Sequence, residues 1–255
     1  MEVLKTIRDS LTKGQEWVLD NLIILHVSGS RLYGTNSKDS DWDYRGITIA
    51  PKEFWVGLNG FDQWEYKTDE IDITIWDIRK WMRLAIKGNP NIIETLFVNQ
   101  KNNEVYEPNN IFDVYIRKNW PVFLNQSLRN SFGGYAHSQY QKLLTKYSNK
   151  TGRQDLVKEF GFDTKFASHV FRLVSEGEEL LTKGQLKFPR PDAQKLKDIR
   201  FGTEYSPDEM DDCLDDMKCA ISRLDTALND SILPKHGDGK ALNDLQIRIF
   251  DRLVK

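Results

Sequence analysis

Apolar residues recur near helical spacing at the start of the chain, at Val3, Ile7, Leu11 and Trp17 or Val18, and predict an amphipathic helix. The run NLIILHV that follows is leucine-rich, β-branched and short, which suits a buried strand. It stops at Ser28-Gly29-Ser30, after which SRLYGT reads as a short helix or a turn. DWDYRGITIA alternates enough for a second strand, ended by Pro51. In DEIDITIWDI the alternation is cleaner: Ile71, Ile73 and Ile75 fall on one face, Asp72 and Thr74 on the other. That segment runs directly into RKWMRLAIKGN, a helix with Gly88 and Asn89 as its stop and Pro90 just beyond. NPNIIETLF opens another helix.

From about Asn110 onward the pattern turns helical, through VYIRKNWPVFLNQSL, SFGGYAHSQYQKLLTKYS and DTKFASHVFRLVSEGEELLTKG. The last helices are SPDEMDDCLDDMKCAISRLDTALNDSIL and ALNDLQIRIFDRLVK, separated by the glycine-rich loop KHGDGK. The chain has no internal repeats and no low-complexity tracts. The expected architecture is α+β, with a mixed N-terminal half followed by a mostly helical one.

Composition changes this picture little. The 255 residues, 39% hydrophobic and 29% charged, are ordinary for a globular protein of one large domain or two modest ones. A formal net charge of -2 argues against nucleic-acid binding through bulk positive charge, though not against a local basic groove. Cys213 and Cys219 lie on one acidic helical segment and point in different directions, which disfavours a disulfide. No Cys/His spacing resembles a zinc site, and a reducing, cytoplasmic setting is expected. The N-terminus lacks the apolar core of a signal peptide, and no apolar run approaches the ~20 residues that span a bilayer, so no membrane association is expected.

The chemistry lies in HVSGSRLYGTNSKDSDWDYRGITIA. Residues i and i+2 of a strand share a face, so Asp41 and Asp43 are expected to point together. Asp72, with isoleucine on both sides, would complete a cluster of three carboxylates if its strand lies beside theirs. Oxygen ligands of this kind suit Mg²⁺ or Mn²⁺, and two such ions can activate an attacking oxygen and stabilise a leaving phosphate. Gly29 permits close backbone approach, the Ser30 hydroxyl and nearby N–H groups can bind phosphate oxygens, and Arg31 can add a charge-assisted contact.

The ordered combination of Gly-Ser, D-x-D and a later strand-borne aspartate resembles the polymerase-beta-like nucleotidyltransferase superfamily. GSRLYGTNSKDSDWDYRG, IDITIWDIRKWMRLAIKGNPNIIETLF and GFDTKFASHVFRLVSEGEELLTKGQLKFP together look like the nucleotidyltransferases associated with RNA ligases, over roughly residues 20 to 205. The resemblance implies a nucleotidyltransferase domain over residues 1–108, a small mixed sheet with flanking helices. A helical domain over 109–255 would complete its cleft. It further implies metal-dependent transfer of a nucleotide from an NTP, ATP being the expected one, to an acceptor hydroxyl. Gly29 and Ser30 would bind the triphosphate, Asp41 and Asp43 would hold the metals, and Asp72 would be the third ligand and help deprotonate the acceptor.

In the helical half, Lys165, His169 and Arg172 stand at i, i+4 and i+7 on one helix face, opposite Phe166, Val170, Leu173 and Val174. Such a basic face could neutralise charge on a leaving pyrophosphate; it could equally be solvated, with His169 in the core. Tyr135 and His137 follow a glycine pair, and Tyr135 is either a base-stacking or a core aromatic. Arg45 is expected to face away from the aspartates and pair with a nearby acid, and Arg200 to contact a ligand or cap a helix. Glu94 is expected to lie inward, Trp42 to pack on the face opposite the aspartates, and DEMDDCLDD to be a solvated acidic face at a helix start.

Three functional classes follow. The first is an NTP-dependent, two-metal nucleotidyltransferase whose acceptor is an RNA end or a protein hydroxyl. The second is a regulatory module that binds nucleotide and transfers nothing, which would not need all three aspartates. The third is an interaction protein, which leaves the ordered spacing unexplained.

Overall fold

β1 (Leu22–Ser28) is buried along its entire length, as a strand must be when neighbours cover both its faces. In the computed structural model, which describes residues 2–99, 105–148 and 154–254, it lies near the middle of a five-stranded mixed sheet. The other strands are β2 (Trp42–Thr48), β3 (Gln63–Lys67), β4 (Ile71–Asp77) and β5 (Val105–Tyr106), in the order β3-β4-β2-β1-β5. β2 and β4 run parallel; the remaining pairs are antiparallel.

The register produces two faces of opposite character. Leu25 and Val27 of β1, Tyr44 of β2, Ile73 and Ile75 of β4 and Trp64 of β3 form one apolar face. It is covered by Val3 and Ile7 of α1 (Glu2–Ser10) and Val18 of α2 (Trp17–Asp20). The single helix expected at the N-terminus is thus two, separated by a turn in which Gly14 takes φ +87°, a conformation that favours glycine. Trp42 is half-buried against the same apolar face and stacks on Tyr44.

Two short helices interrupt the strands, α3 (Gly29–Tyr33) after β1 and α4 (Glu53–Val56) after β2. β4 passes without a loop into α5 (Ile78–Ile86), whose Ile78, Trp81, Met82 and Ala85 are buried at helical spacing. After α6 (Pro90–Ile93) and a 3₁₀ turn, a π turn over Phe112–Ile116 and a 3₁₀ turn over Arg117–Phe123 replace the regular helix expected there; Pro121 lies inside the second turn, where it removes a backbone donor. The later helices are α7 (Leu128–Ser148), α8 (Gln154–Phe160), α9 (Thr164–Lys183), α10 (Ala193–Arg200), α11 (Met210–Asn229) and α12 (Gly239–Leu253). Asp163 caps α9 by accepting from the Phe166 N–H at 3.3 Å. Gly177 within α9 lets helices approach closely: a Cβ there would lie 2.8 Å from Leu224 of α11 and 3.2 Å from Phe132 of α7.

The chain forms two compact units. One comprises Met1–Ile86, Asn91–Phe123 and Gly237–Lys255, and so holds the sheet together with α12; the other comprises Lys87–Pro90 and Leu124–His236 and holds α7 to α11. The class is α+β with a mixed sheet and a helical C-terminal region, as expected. Cys213 is buried, Cys219 is exposed, and both are free thiols. No helix among the described residues is long and apolar enough to cross a membrane.

Candidate active site

Sheet pairing aligns the chemistry in rows. Ser28 of β1 pairs with Asp43 of β2, Asp43 with Asp72 of β4, and Asp72 with Lys67 of β3. The next row on the same face holds His26, Arg45, Thr74 and Glu65. The alternation of DITI therefore places Asp72 beside the second aspartate of D-x-D, on the face away from the apolar cluster.

Arg45 does not turn away from the aspartates. It lies two residues beyond Asp43 and hence on the same strand face. Its Nη1 donates to Asp72 Oδ1 at 2.9 Å, and its Nη2 lies 3.5 Å from Asp43 Oδ1. It does pair with nearby acids, but they are the site carboxylates themselves. On the other side of Asp72, Lys67 Nζ donates to Oδ2 at 2.6 Å. Burial by itself would raise the Asp72 pKa; the Lys67 hydrogen bond and the Arg45 charge outweigh it and hold the carboxyl below its ordinary value. The hydrogen bond to Asp72 correspondingly raises the Lys67 pKa. Lys67 lies on the edge strand QWEYK, whose sequence signal is only the short Trp64/Tyr66 alternation and does not single out this lysine.

Gly29 and Ser30 begin α3 directly after β1. Gly29 has φ +59°, and a Cβ on it would stand 2.0 Å from Asp43 Oδ2, so the carboxylate occupies the space that any side chain would need. The Ser30 hydroxyl oxygen is buried and has no hydrogen-bond partner among the described residues. Arg31 organises the D-x-D loop: its guanidinium donates to the carbonyls of Ser40 at 2.6 Å and Asp41 at 3.2 Å, and stacks 3.9 Å from the Trp42 ring. Asp41 is exposed and lies one residue ahead of β2. Among the described residues no three His, Cys, Asp or Glu side chains are gathered closely enough to hold a metal as they stand. The convergence is of Asp43 and Asp72 upon Arg45.

A carboxylate pair from adjacent strands, held by a guanidinium and an ammonium, supplies hard oxygen donors of the kind that Mg²⁺ and Mn²⁺ prefer. Both aspartates are ion-paired, and the glycine leaves one carboxylate face uncovered by side chain.

His26, one row along, is fully buried. Its Nδ1 donates to the Val27 carbonyl at 2.9 Å, and Nε2 therefore accepts from the Thr95 hydroxyl at 3.3 Å. Burial lowers its pKa to about 4; the Val27 hydrogen bond opposes the shift and the Arg45 charge adds to it. Asp77, at the end of β4, is consumed structurally by the Arg79 side chain at 2.6 Å and the Ala50 N–H at 3.2 Å. Glu94 is fully buried and accepts from Tyr33 at 3.0 Å, as its inward placement required.

In the helical unit, Phe166, Val170, Leu173 and Val174 form the buried stripe of α9. Lys165 and His169 are half-buried, whereas Arg172 is buried and pairs with Glu176 at 2.8 Å. Arg190 pairs with Glu179 at 2.5 Å and reaches Ser175 at 3.3 Å. Tyr135 is half-buried and His137 exposed. Arg200 ends α10, its carbonyl accepts from the Thr164 hydroxyl at 2.7 Å, and its guanidinium lies over Phe201.

Comparison with known proteins adds to this geometry. The chain is 39% identical over 71 residues to an uncharacterised protein, YcgL, of Bacillus subtilis (strain 168); the match spans 27% of each chain, so only about a quarter of that relative's length is covered. A nucleotidyltransferase-like protein from Exiguobacterium sibiricum 255-15, of known crystal structure, is 15% identical with a TM-score of 0.31, over 97% of this chain and 79% of its own. The model of the RNA repair pathway DNA polymerase beta family matches residues 4–218, a span that contains the Gly-Ser turn, D-x-D, Asp72 and α9. By that match the chain belongs to the RNA repair pathway DNA polymerase beta family, a group of polymerase-beta-like nucleotidyltransferases tied to RNA repair.

Proposed function

We propose that this protein transfers a nucleotide from an NTP, ATP being the expected donor, to the terminal hydroxyl of an RNA strand. The observation that carries the reading is the in-register pairing of Asp43 with Asp72 beside Gly29 and the buried Ser30 hydroxyl. The RNA acceptor draws its support from the family, whose description names an RNA repair pathway.

In this reaction the acceptor oxygen attacks the α-phosphorus, its proton passes to solvent, and pyrophosphate leaves. Asp43 and Asp72, with Asp41 ahead of them, are the oxygens that would hold Mg²⁺ or Mn²⁺. Such an ion neutralises phosphate charge and lowers the pKa of a bound hydroxyl. Asp72 would serve as a ligand in preference to a proton acceptor, because the depressed pKa that keeps it ionised also makes it a poor base. Arg45 and Lys67 hold the carboxylate pair together against mutual repulsion, and their bonds would compete with a divalent cation for the same oxygens. Ser30 supplies a hydroxyl to a phosphate oxygen, and Arg31 fixes the loop that carries Asp41. Lys165, His169 and Arg172, on the strength of their common face of α9, are proposed as a face that binds phosphate groups. The pairing of Arg172 with Glu176 gives it a role in holding that helix as well.

The test is incubation with each labelled NTP, Mg²⁺ or Mn²⁺, and an RNA bearing a free 3′ hydroxyl, with a protein mixture as a parallel acceptor. Label on RNA that disappears in Asp43→Ala and Asp72→Ala supports the proposal. Label on protein alone replaces the acceptor, and tight NTP binding with no transfer to either replaces catalysis with a regulatory role.

A further inference from the structure

α12 lies outside residues 4–218, the span matched by the family, yet belongs to the unit that carries the sheet. It packs on the Arg117–Phe123 turn, and Phe250 meets Trp55 with ring centroids 5.3 Å apart. Between α12 and the preceding π turn is a cavity of about 250 Å³ lined by Val114, Tyr115, Asn119, Arg248 and Arg252. None of these residues belongs to the D-x-D site.

Arg248 and Arg252 stand one helical turn apart, both exposed, and neither has an ion pair among the described residues. Like charges at this spacing repel each other, a repulsion that a shared anion removes. The acids closest in sequence to the π turn are already engaged, since Arg117 holds both Glu107 and Asp113. Guanidinium groups bind phosphate in a bidentate manner. Tyr115, half-buried in the wall, presents an aromatic surface. The Asn119 amide nitrogen donates to the carbonyls of Val114 at 3.4 Å and Tyr115 at 3.0 Å, which leaves its carbonyl oxygen as an acceptor. Backbone that departs into a π turn is rare and is frequently found at functional sites.

We propose that this cavity is a subsite for single-stranded RNA, binding one backbone phosphate through Arg248 and Arg252 and one base through Tyr115 and Asn119. The volume is below the roughly 300–1,000 Å³ of pockets that enclose a whole small molecule, so base and phosphate would be only partly enclosed here and the rest of the strand would run outside the cavity. The inference deepens the RNA acceptor reading above and rests on it. It also resolves how an acidic chain can hold RNA: the positive charge is local, and aromatic stacking supplements it.

The test is equilibrium binding of a short fluorescent oligoribonucleotide across a series of salt concentrations. Replacing both Arg248→Gln and Arg252→Gln should weaken binding about tenfold and flatten the salt dependence by about 0.7 in log–log slope, the value for one phosphate contact on a single strand. Tyr115→Leu should weaken binding with the slope unchanged. NTP affinity should be the same in all three proteins, and exposed arginines leave folding intact, which thermal melting checks. Wild-type protein that fails to bind the strand, or an arginine variant with unaltered affinity and slope, overturns the subsite. Binding equally well displaced by inorganic polyphosphate and untouched by Tyr115→Leu overturns RNA as its ligand. Strand binding that depends on these arginines in a protein that transfers no nucleotide leaves the subsite standing and removes the proposed reaction.

Discussion

The Asp43 carboxylate rests against Gly29, so close that a Cβ on residue 29 would stand 2.0 Å from Asp43 Oδ2. The Gly-Ser turn and the D-x-D strand are therefore one structural unit: β1 and β2 pair at Ser28 and Asp43, and the glycine lets the carboxylate lie over the first turn of α3. Gly29→Ala should both strain φ at +59° and drive Asp43 from its place. The expected cost is about 1–3 kcal/mol in stability, with transfer activity lost more completely than stability. Denaturant unfolding alongside the transfer assay separates the two; an alanine variant with unchanged activity would remove Asp43 from the site.

Asp43→Ala and Asp72→Ala should each reduce transfer at least about a hundredfold, since a metal clamp supplies several kcal/mol of charge stabilisation. The two differ in the free protein. Asp72 is held by Lys67 at 2.6 Å and by Arg45 at 2.9 Å, whereas the Arg45 contact of Asp43 is longer, at 3.5 Å. Asp72→Ala should therefore have the larger effect on melting temperature measured without divalent cations.

Arg45→Met removes the positive charge between two carboxylates. Without metal the variant should lose about 1–3 kcal/mol of stability, the penalty for depriving largely buried charged acceptors of a donor. Divalent cations should then bind more tightly, because they no longer displace a guanidinium. Calorimetric titration with Mg²⁺ or Mn²⁺, and the rise in melting temperature each produces, measure this directly. Equal metal affinity in variant and wild type would mean that Arg45 does not compete for the site.

His26 makes stability depend on pH. Its folded pKa of about 4 lies below the ordinary 6.5, so the folded state binds fewer protons than the unfolded state between these values. Stability is fully present above pH 6.5 and declines as pH falls toward 4, by on the order of 3 kcal/mol from this group. His26→Gln should flatten that part of the profile in urea unfolding at stepped pH. A wild-type profile level from pH 7 to 5 would contradict the buried neutral imidazole.

Much of the fold is legible in local pattern. The alternation of isoleucine with Asp72 and Thr74 requires the two sets to occupy opposite faces, because side chains of a strand alternate whatever the strand pairs with. The fully apolar β1, the helix that follows β4 and the capped α9 are likewise set by short-range periodicity and end signals. The same alternation, carried two residues beyond Asp43, already places Arg45 on the carboxylate face, and reading it only for the aspartates hides this residue's role.

What the sequence by itself determined is which residues share a face and where the Gly-Ser turn must bend. The tertiary structure decided which strands are neighbours and in what register. Asp43 and Asp72 are separated by an intervening helix and an edge strand, and no local rule sets the pairing of β2 with β4. Lys67 depends on that edge strand, and Arg172 on a buried partner, Glu176, whose burial follows from how α9 packs. Periodicity is a property of one element and can be read along the chain. Register and ion pairing are properties of two, fixed by the long-range burial of apolar faces that only the folded molecule brings together.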